Sequence, residues 1–306
     1  MIIVKLMGGL GNQMFQYAFG LYTALNNNTK LKLDVSFLGT NKKSGSIKNT
    51  EIRFFELEEI FNINNIGFTS KIENEFFQGD PAQNIVRRGI FKILRKIYGV
   101  KIYVQDKHTF NDEQLNIKNN TVIVGRWQSE KYFKPIEDII RRQFIFRNPI
   151  SKSYIHFINL IMQSPDATCL HIRRTDYVNH PIYSKILGAL PDSYYLHSIQ
   201  MINSLKSLPS LFIFSDDIEY TKRMLSEYTI RNDVTFIQSE EANPHDELHL
   251  MTLCKHFIIS NSTYSWWGAW LSINKDKIVI APEKWSLDPE YSSKYILPNN
   301  YIKILC

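Results

Sequence analysis

The sequence predicts an α/β protein built from two domains, each a doubly wound parallel sheet. Three observations predict it. Through the second half, short β-rich runs alternate with helical patterns, the signature of βα units. The first half opens on the same strand, loop, helix and strand order. The chain has 306 residues, 44% of them hydrophobic and 22% charged, enough for two ordinary globular domains with cores of their own.

The elements follow in order. IIVKL (2–6) is a strand, MGGLGN a loop, and QMFQYAFGLYTAL a helix with Met14, Ala18, Leu21 and Leu25 on one face. LKLDV (31–35) is the second strand, and GTNKKSGSIKNT (39–50) an exposed loop. RRGIFKILRKIYGVKIY (87–103) is basic and amphipathic. Ile90, Ile93 or Leu94, and Ile97 share one face, and Arg87, Arg88, Lys92, Arg95 and Lys96 lie elsewhere. Two readings fit it: a core helix with a solvated basic face, or a helix that touches anionic membrane or a lipid-pyrophosphate acceptor. TVIVGRWQ (121–128) is a strand and YFKPIEDIIRRQF a helix. RNPISKS (147–153) is the linker between domains at 1–150 and 151–306. The second domain then runs ATCLHIRR (167–174), LFIFS (211–215), VTFIQ (234–238), FIIS (257–260) and KIVIAP (277–282) as strands, with a helical pattern after each of the first four. KIVIAP closes the series.

Several function classes drop out. There is no low-complexity tract and no repeat. No run of about 18 apolar residues exists to span a bilayer. MIIVKL lacks a basic n-region and a cleavage site, so it does not read as a signal peptide. Cys169, Cys254 and Cys306 are widely spaced, and Cys169 and Cys254 sit in apolar contexts as small buried hydrophobes. A reducing cytoplasm is the expected location. The net charge of +6 fits phosphate-bearing ligands, membrane surfaces or nucleic acid without choosing among them. No zinc spacing and no RNA-binding aromatic signature points to nucleic acid.

In an open parallel sheet, ligands bind outside the carboxyl ends of the strands. The first strand of the second domain ends in His171, Arg173 and Arg174, within HIRRTDY. The second ends in Ser215, Asp216 and Asp217, and the fourth in Ser260, Asn261, Ser262 and Thr263. A sheet needs none of them there. Alternation along the strand places Arg173 and Arg174 on opposite sides unless the chain has already turned. A guanidinium binds phosphate through parallel charge-assisted hydrogen bonds, so a diphosphate suits Arg173; a surface ion pair with Asp176 is the plainer alternative. SNST (260–263) opens a helix whose N–H groups attract anions, or simply caps it. Trp266, Trp267 and Trp270 are core. Asp216 and Asp217 cap the next helix, hold a metal, or accept the paired N–H donors of a guanine. Base reading is preferred, because the arginines supply the charge a metal would bring. In the first domain, GGLGNQ (8–13) with Asp34 resembles a dinucleotide fingerprint, which keeps a nicotinamide oxidoreductase open as a rival. Met14 occupies the place of its third small residue. The same loop serves to bring Gly9 and Gly11 close to a ligand, with Asn12 and Gln13 hydrogen-bonding it, or is a tight structural turn. A non-catalytic sugar-nucleotide-binding protein is the other rival.

The order GGLGNQMFQYA, HIRRTDY, FSDD and SNSTYSWWGAWL resembles the bacterial α-1,2-fucosyltransferases that use GDP-fucose, from the first strand to the last. The resemblance implies a GT-B-like pair of Rossmann-type domains facing a central cleft. The first domain would face the acceptor and the second would hold GDP-fucose. It implies an inverting, metal-independent enzyme without a cofactor. The acceptor would be a galactose-terminated glycan, lipid-linked or free, in surface polysaccharide (O-antigen) synthesis at the inner face of the membrane. On the family pattern Arg173 contacts the β-phosphate, His171 and the Asp216–Asp217 pair fall where guanosine is held, and Asn12 approaches fucose and phosphates. The expected transition state is oxocarbenium-like. Asp176 is the candidate general base, unless it orients Arg174 instead.

Overall fold

The structure is a computed structural model, and it describes residues 1–39, 53–78, 85–106, 109–207, 209–226, 232–238, 244–288 and 294–306. The expected loop at 39–50 lies outside the described residues except for Gly39. The chain divides into two compact units, Met1–Arg147 and Asn148–Cys306. The division falls at the start of RNPISKS.

The first unit holds five parallel strands: β1 (Ile2–Lys5), β2 (Leu31–Asp34), β3 (Gly67–Phe68), β4 (Lys101–Val104) and β5 (Thr121–Val124). Their order is β3-β2-β1-β5-β4. β1 is central and wholly buried, and Ile2 pairs with both Leu31 and Thr121. A strand covered on both faces is mostly apolar, which is why Ile2, Ile3 and Val4 follow one another without alternation. The helix Leu10–Asn26 starts three residues earlier than its apolar pattern suggests, so Gly11, Asn12 and Gln13 lie in its first turn and not in a loop. Met14, Phe15, Ala18 and Phe19 seal it into the core. Strands β3 and β4 carry little pattern of their own: β3 is two residues long, and the first three residues of β4 lie inside the basic stretch 87–103.

The second unit holds β6 (Thr168–Ile172), β7 (Leu211–Ser215), β8 (Val234–Phe236), β9 (His256–Ile258), β10 (Val279–Pro282) and β11 (Ile302–Ile304). All pair in parallel, in the order β11-β10-β9-β6-β7-β8. KIVIAP therefore does not close the series; β11 adds an edge beyond it, and only two of its three residues, Ile302 and Ile304, are apolar. Leu170, Ile172, Ile213, Ile258 and Ile280 join Tyr194, Tyr195 and Ile199 in one buried cluster. Trp266, Trp267 and Trp270 stack and edge onto one another in the helix Thr263–Leu271, buried as expected. Cys169 and Cys254 are buried and free, and burial raises the Cys169 thiol well above its ordinary range.

The strand order has one consequence for chemistry. β6 lies between β9 and β7, so the three polar strand ends are neighbours on one edge of the sheet.

Candidate active site

The polar strand ends form one hydrogen-bonded network. His171 closes the buried strand β6, and its Nδ1 lies 2.8 Å from Ser260 Oγ at the end of β9. Burial drives its pKa down to about 3, with help from the Arg173 charge, so the ring is neutral at working pH. Its second ring nitrogen has no protein partner among the described residues. From the other side, Asp216 at the end of β7 accepts the amides of Arg174 at 2.8 Å and Thr175 at 3.2 Å, together with the Thr175 hydroxyl. Tyr177 donates to the Asn261 carbonyl at 3.1 Å. The chain has turned by Arg174 and enters a short helix at Thr175–Asn179, so strict alternation does not place the arginines.

Arg173 is clamped. One terminal nitrogen meets Asp176 and the other lies 3.2 Å from Asp216. Burial alone would lower its pKa, but the two carboxylates more than offset that and raise it. Two contacts leave part of its five-hydrogen fork without an acceptor among the described residues. Arg174 points elsewhere: its guanidinium lies 3.6 Å over the Tyr220 ring, with Nε 3.6 Å from Asp217. Tyr220 is itself held by Asp192.

These contacts correct several expectations. Asp176 braces Arg173, not Arg174, and a carboxylate held by a guanidinium is a poor base. Asp216 caps the turn that follows β6, and Asp217 accepts the Tyr220 amide at 3.1 Å to cap the helix Ile218–Ser226. Both carboxylates are therefore occupied, which weakens the guanine-reading role given to them. Asn261 spends its amide on the carbonyls of Leu187, Gly188 and Trp285, and Ser262 caps the helix it precedes. Ser260 serves His171, and Thr263 is the first helical residue. The SNST stretch is thus mostly bracing, with the helix start left as its anion-facing part.

One carboxyl went unnoticed in the sequence. Glu247, in the helix Pro244–Leu253, has no hydrogen-bond partner among the described residues. Burial first, and then the charge of Asp216 nearby, raise its pKa to about 7. In the sequence it is one of two acids in a helical first turn, a position that normally answers only the helix dipole. No local signal marks it.

In the first unit, the glycine loop does structural work. Gln13 is fully buried, and its amide donates to the carbonyls of Gly8 and Phe54 and accepts from Glu56 N–H. It braces the glycine loop against the segment at Phe54–Glu56. Gln16, overlooked in the sequence, ties Met7 N–H to the Gly125 carbonyl. Asn12 stands differently, since its side-chain oxygen accepts from Gln128 at 2.7 Å, which fixes the orientation of its amide. Gly8 has φ +80, and a Cβ there would lie 2.5 Å from Asn12 Nδ2, so only glycine fits. Gly9 precedes the helix with open space beside it, and Gly11 is buried in the first turn. Asp34 is wholly buried and accepts the Ser36 amide at 3.0 Å, so it braces a turn and is not placed for a ribose.

The chain is 32% identical over 314 residues to an Escherichia coli alpha-1,2-colitosyltransferase, covering 99% of this chain and 98% of that protein. It is 32% identical over 299 residues to the Escherichia coli O-antigen biosynthesis glycosyltransferase WbnK, covering 92% and 93%. A shorter stretch of 105 residues is 30% identical to human galactoside alpha-(1,2)-fucosyltransferase 1, covering 34% of this chain and 28% of that one. Among solved structures, a mutant of Arabidopsis thaliana FUT1 in complex with GDP shares the fold, at TM-score 0.51 and 11% identity over 97% of this chain and 74% of that one. That likeness bears on fold alone, and it is the GT-B type of architecture expected. The model for Glycosyl transferase family 11 matches residues 1–304, and the chain belongs to that family.

Proposed function

We propose that the chain transfers L-fucose from GDP-β-L-fucose to the 2-hydroxyl of a galactoside, with inversion and without a metal. The observation that carries this reading is the clamped Arg173, a half-buried cation held at the carboxyl edge of β6 with donor capacity to spare. As GDP departs, negative charge grows on its β-phosphate oxygen. A preorganised donor aimed at that charge contributes about 3–4 kcal/mol by deletion. Arg173 supplies one, and the helix start at Ser262–Thr263 adds backbone N–H groups beside it; Arg174, stacked on Tyr220, lies outside this cradle. His171, neutral and pinned by Ser260, offers its free ring nitrogen to the nucleoside. Glu247 takes over guanine reading from Asp216 and Asp217, since its carboxyl is unspent and a carboxylate accepts both N–H groups of the base edge. Asn12, with its amide oriented by Gln128, is the residue of the first unit proposed to take part in the reaction. The acceptor proton leaves late, once the bond to phosphate is largely broken, so little is asked of a base.

A second donor is favoured by one observation: the full-length relative at 32% identity is a colitosyltransferase. Colitose is fucose without the 3-hydroxyl, and a pocket that hydrogen-bonds that hydroxyl discriminates strongly against its absence. The test is GDP release from GDP-fucose and from GDP-colitose, against a panel of galactosides, with and without EDTA. Turnover of GDP-fucose on a galactoside in the presence of chelator supports the proposal. A preference for GDP-colitose replaces the donor, and loss of activity with EDTA removes the metal-free mechanism. The WbnK similarity supports a place in O-antigen synthesis, where a galactoside of that polymer is the acceptor to try first.

A further inference from the structure

The basic stretch does not pack as a core helix. It forms the helix Ile85–Ile97, and Val86, Ile90, Ile93 and Ile97 are between 50% and 69% exposed. At about 3.6 residues per turn these four fall within an arc of about 60°. The face turned inward carries Phe91, Leu94 and Arg95 instead. Phe91 edges onto Phe76 at 5.5 Å, and Arg95 caps the preceding helix by donating to the carbonyls of Phe76 and Phe77 at 2.9 and 3.1 Å. The apolar stripe is therefore solvent-facing by construction, because the contacts that dock the helix use its other side.

The surroundings extend the stripe. Tyr98 is exposed just past the helix end. On the edge strand β4, Ile102 and Val104 are exposed and pair in register with Val122 and Val124, so they share the sheet face on which Phe76 and Phe77 pack. Lys92, Lys96 and Lys101 are exposed beside these residues. A mostly apolar cavity of about 240 Å³, lined by Phe76, Phe77, Tyr98 and Val100 among others, opens at the same end. Exposed apolar surface of this extent, rimmed by one sign of charge, is a docking surface.

We propose that this face lies on an anionic phospholipid bilayer. Four features select that occupant. A helix of 13 residues is about 20 Å long, too short to cross a hydrocarbon core of about 30 Å. It is suited to lying in the interface plane, with its aliphatic face at the acyl boundary and its lysine stems reaching back to the headgroups. The charge is of the right sign, locally and over the whole chain, which carries +6. A second copy of the chain would bring the same lysines against each other. The inference is independent of the donor and acceptor proposed above.

The experiment is co-sedimentation of the full chain with vesicles of phosphatidylcholine alone or with one-quarter phosphatidylglycerol, containing no glycolipid. Wild type is expected on the anionic vesicles and at least about tenfold less on the neutral ones. Ile93→Glu with Ile97→Glu is expected to lower partitioning at least about tenfold. Lys92→Gln with Lys96→Gln should lower it roughly twentyfold, at about fivefold per lysine. Ile273→Glu, at a 91% exposed position in the other unit, is the control and should change nothing. Circular dichroism verifies the fold of each variant, and Ile93→Ala with Ile97→Ala, which favours helix, repeats the test should the glutamates disturb it. Absence of wild type from anionic vesicles, or binding of the glutamate and alanine variants equal to that of wild type, overturns the proposal. So does a concentration-dependent dimer that the variants abolish, because the face would then belong to a second copy. None of these outcomes bears on transferase activity, which is assayed separately on a water-soluble acceptor.

Discussion

Replacing Asp216 by asparagine removes one charge and keeps the shape, so it isolates what the carboxylate does. Asp216 accepts two backbone amides, at 2.8 and 3.2 Å, and a hydroxyl, and lies 3.2 Å from Arg173. A hydrogen bond to a charged group is worth about 1.5–3 kcal/mol net, and one side chain 18% exposed takes the lower end. Asparagine keeps one oxygen and turns an NH₂ toward donors that no longer find an acceptor. Weakening two of the bonds and the ion pair sums to about 3 kcal/mol, which at about 2–4 °C per kcal/mol lowers the melting temperature by about 6–12 °C. Arg173 also loses one of its two anchors, and a misplaced donor to developing charge costs about a hundredfold in turnover. Asp217→Asn is the comparison. It touches one helix amide and a stacked arginine, so its cost is about 1 kcal/mol. Thermal unfolding and initial-rate transfer assays measure both. If Asp216→Asn melts within about 2 °C of wild type and turns over within about fivefold, the claim that this carboxylate holds the arginine turn is wrong.

Other outcomes follow from the same geometry. His171 is held neutral with a folded pKa of about 3, below its unfolded value of 6.5, so its contribution to stability is complete above pH 6.5 and is lost as pH falls toward 3. Urea titrations over that window should show wild type losing roughly 5 kcal/mol more than His171→Asn at the limit. Glu247 has the opposite sign: its pKa rises from 4.5 to about 7 on folding, so stability falls as pH rises between those values. If it reads the base as a carboxylate, GDP binding releases a proton at pH 6–7, which calorimetry in buffers of different ionisation enthalpy detects and Glu247→Gln abolishes. Gly8→Ala forces a left-handed Cβ against Asn12 and should cost about 1–2 kcal/mol in stability while lowering kcat, with KM for the acceptor less affected.

The βα rhythm was legible because buried parallel strands such as IIVK and TCLHI are mostly apolar, show no alternation and are flanked by helical periodicity. β3, β4 and β11 were not, since edge strands of two to four residues carry little burial pattern. Polar residues at strand ends pointed to one edge of the second sheet, and the strand order brings them together there. They did not distinguish residues that face a ligand from residues that hold those residues still. Gln13, Asn261 and Asp216 look like ligand contacts in one dimension, and in the structure each makes hydrogen bonds within its own unit, because a buried amide or carboxylate must satisfy itself locally. Glu247 shows the converse. Its chemistry comes from burial and from Asp216, a neighbour 31 residues away in sequence, and neither is written in the helix around it.

The central claim is that the guanidinium of Arg173, held by Asp176 and Asp216, carries the nucleoside diphosphate in place of a cation. The most direct measurement is the affinity of wild type and Arg173→Ala for GDP and for guanosine, in the same buffer with EDTA. The account predicts that GDP binding weakens at least about thirtyfold in the variant while guanosine binding stays within about twofold. Equal losses for the two ligands, or GDP affinity that survives the substitution, would contradict it.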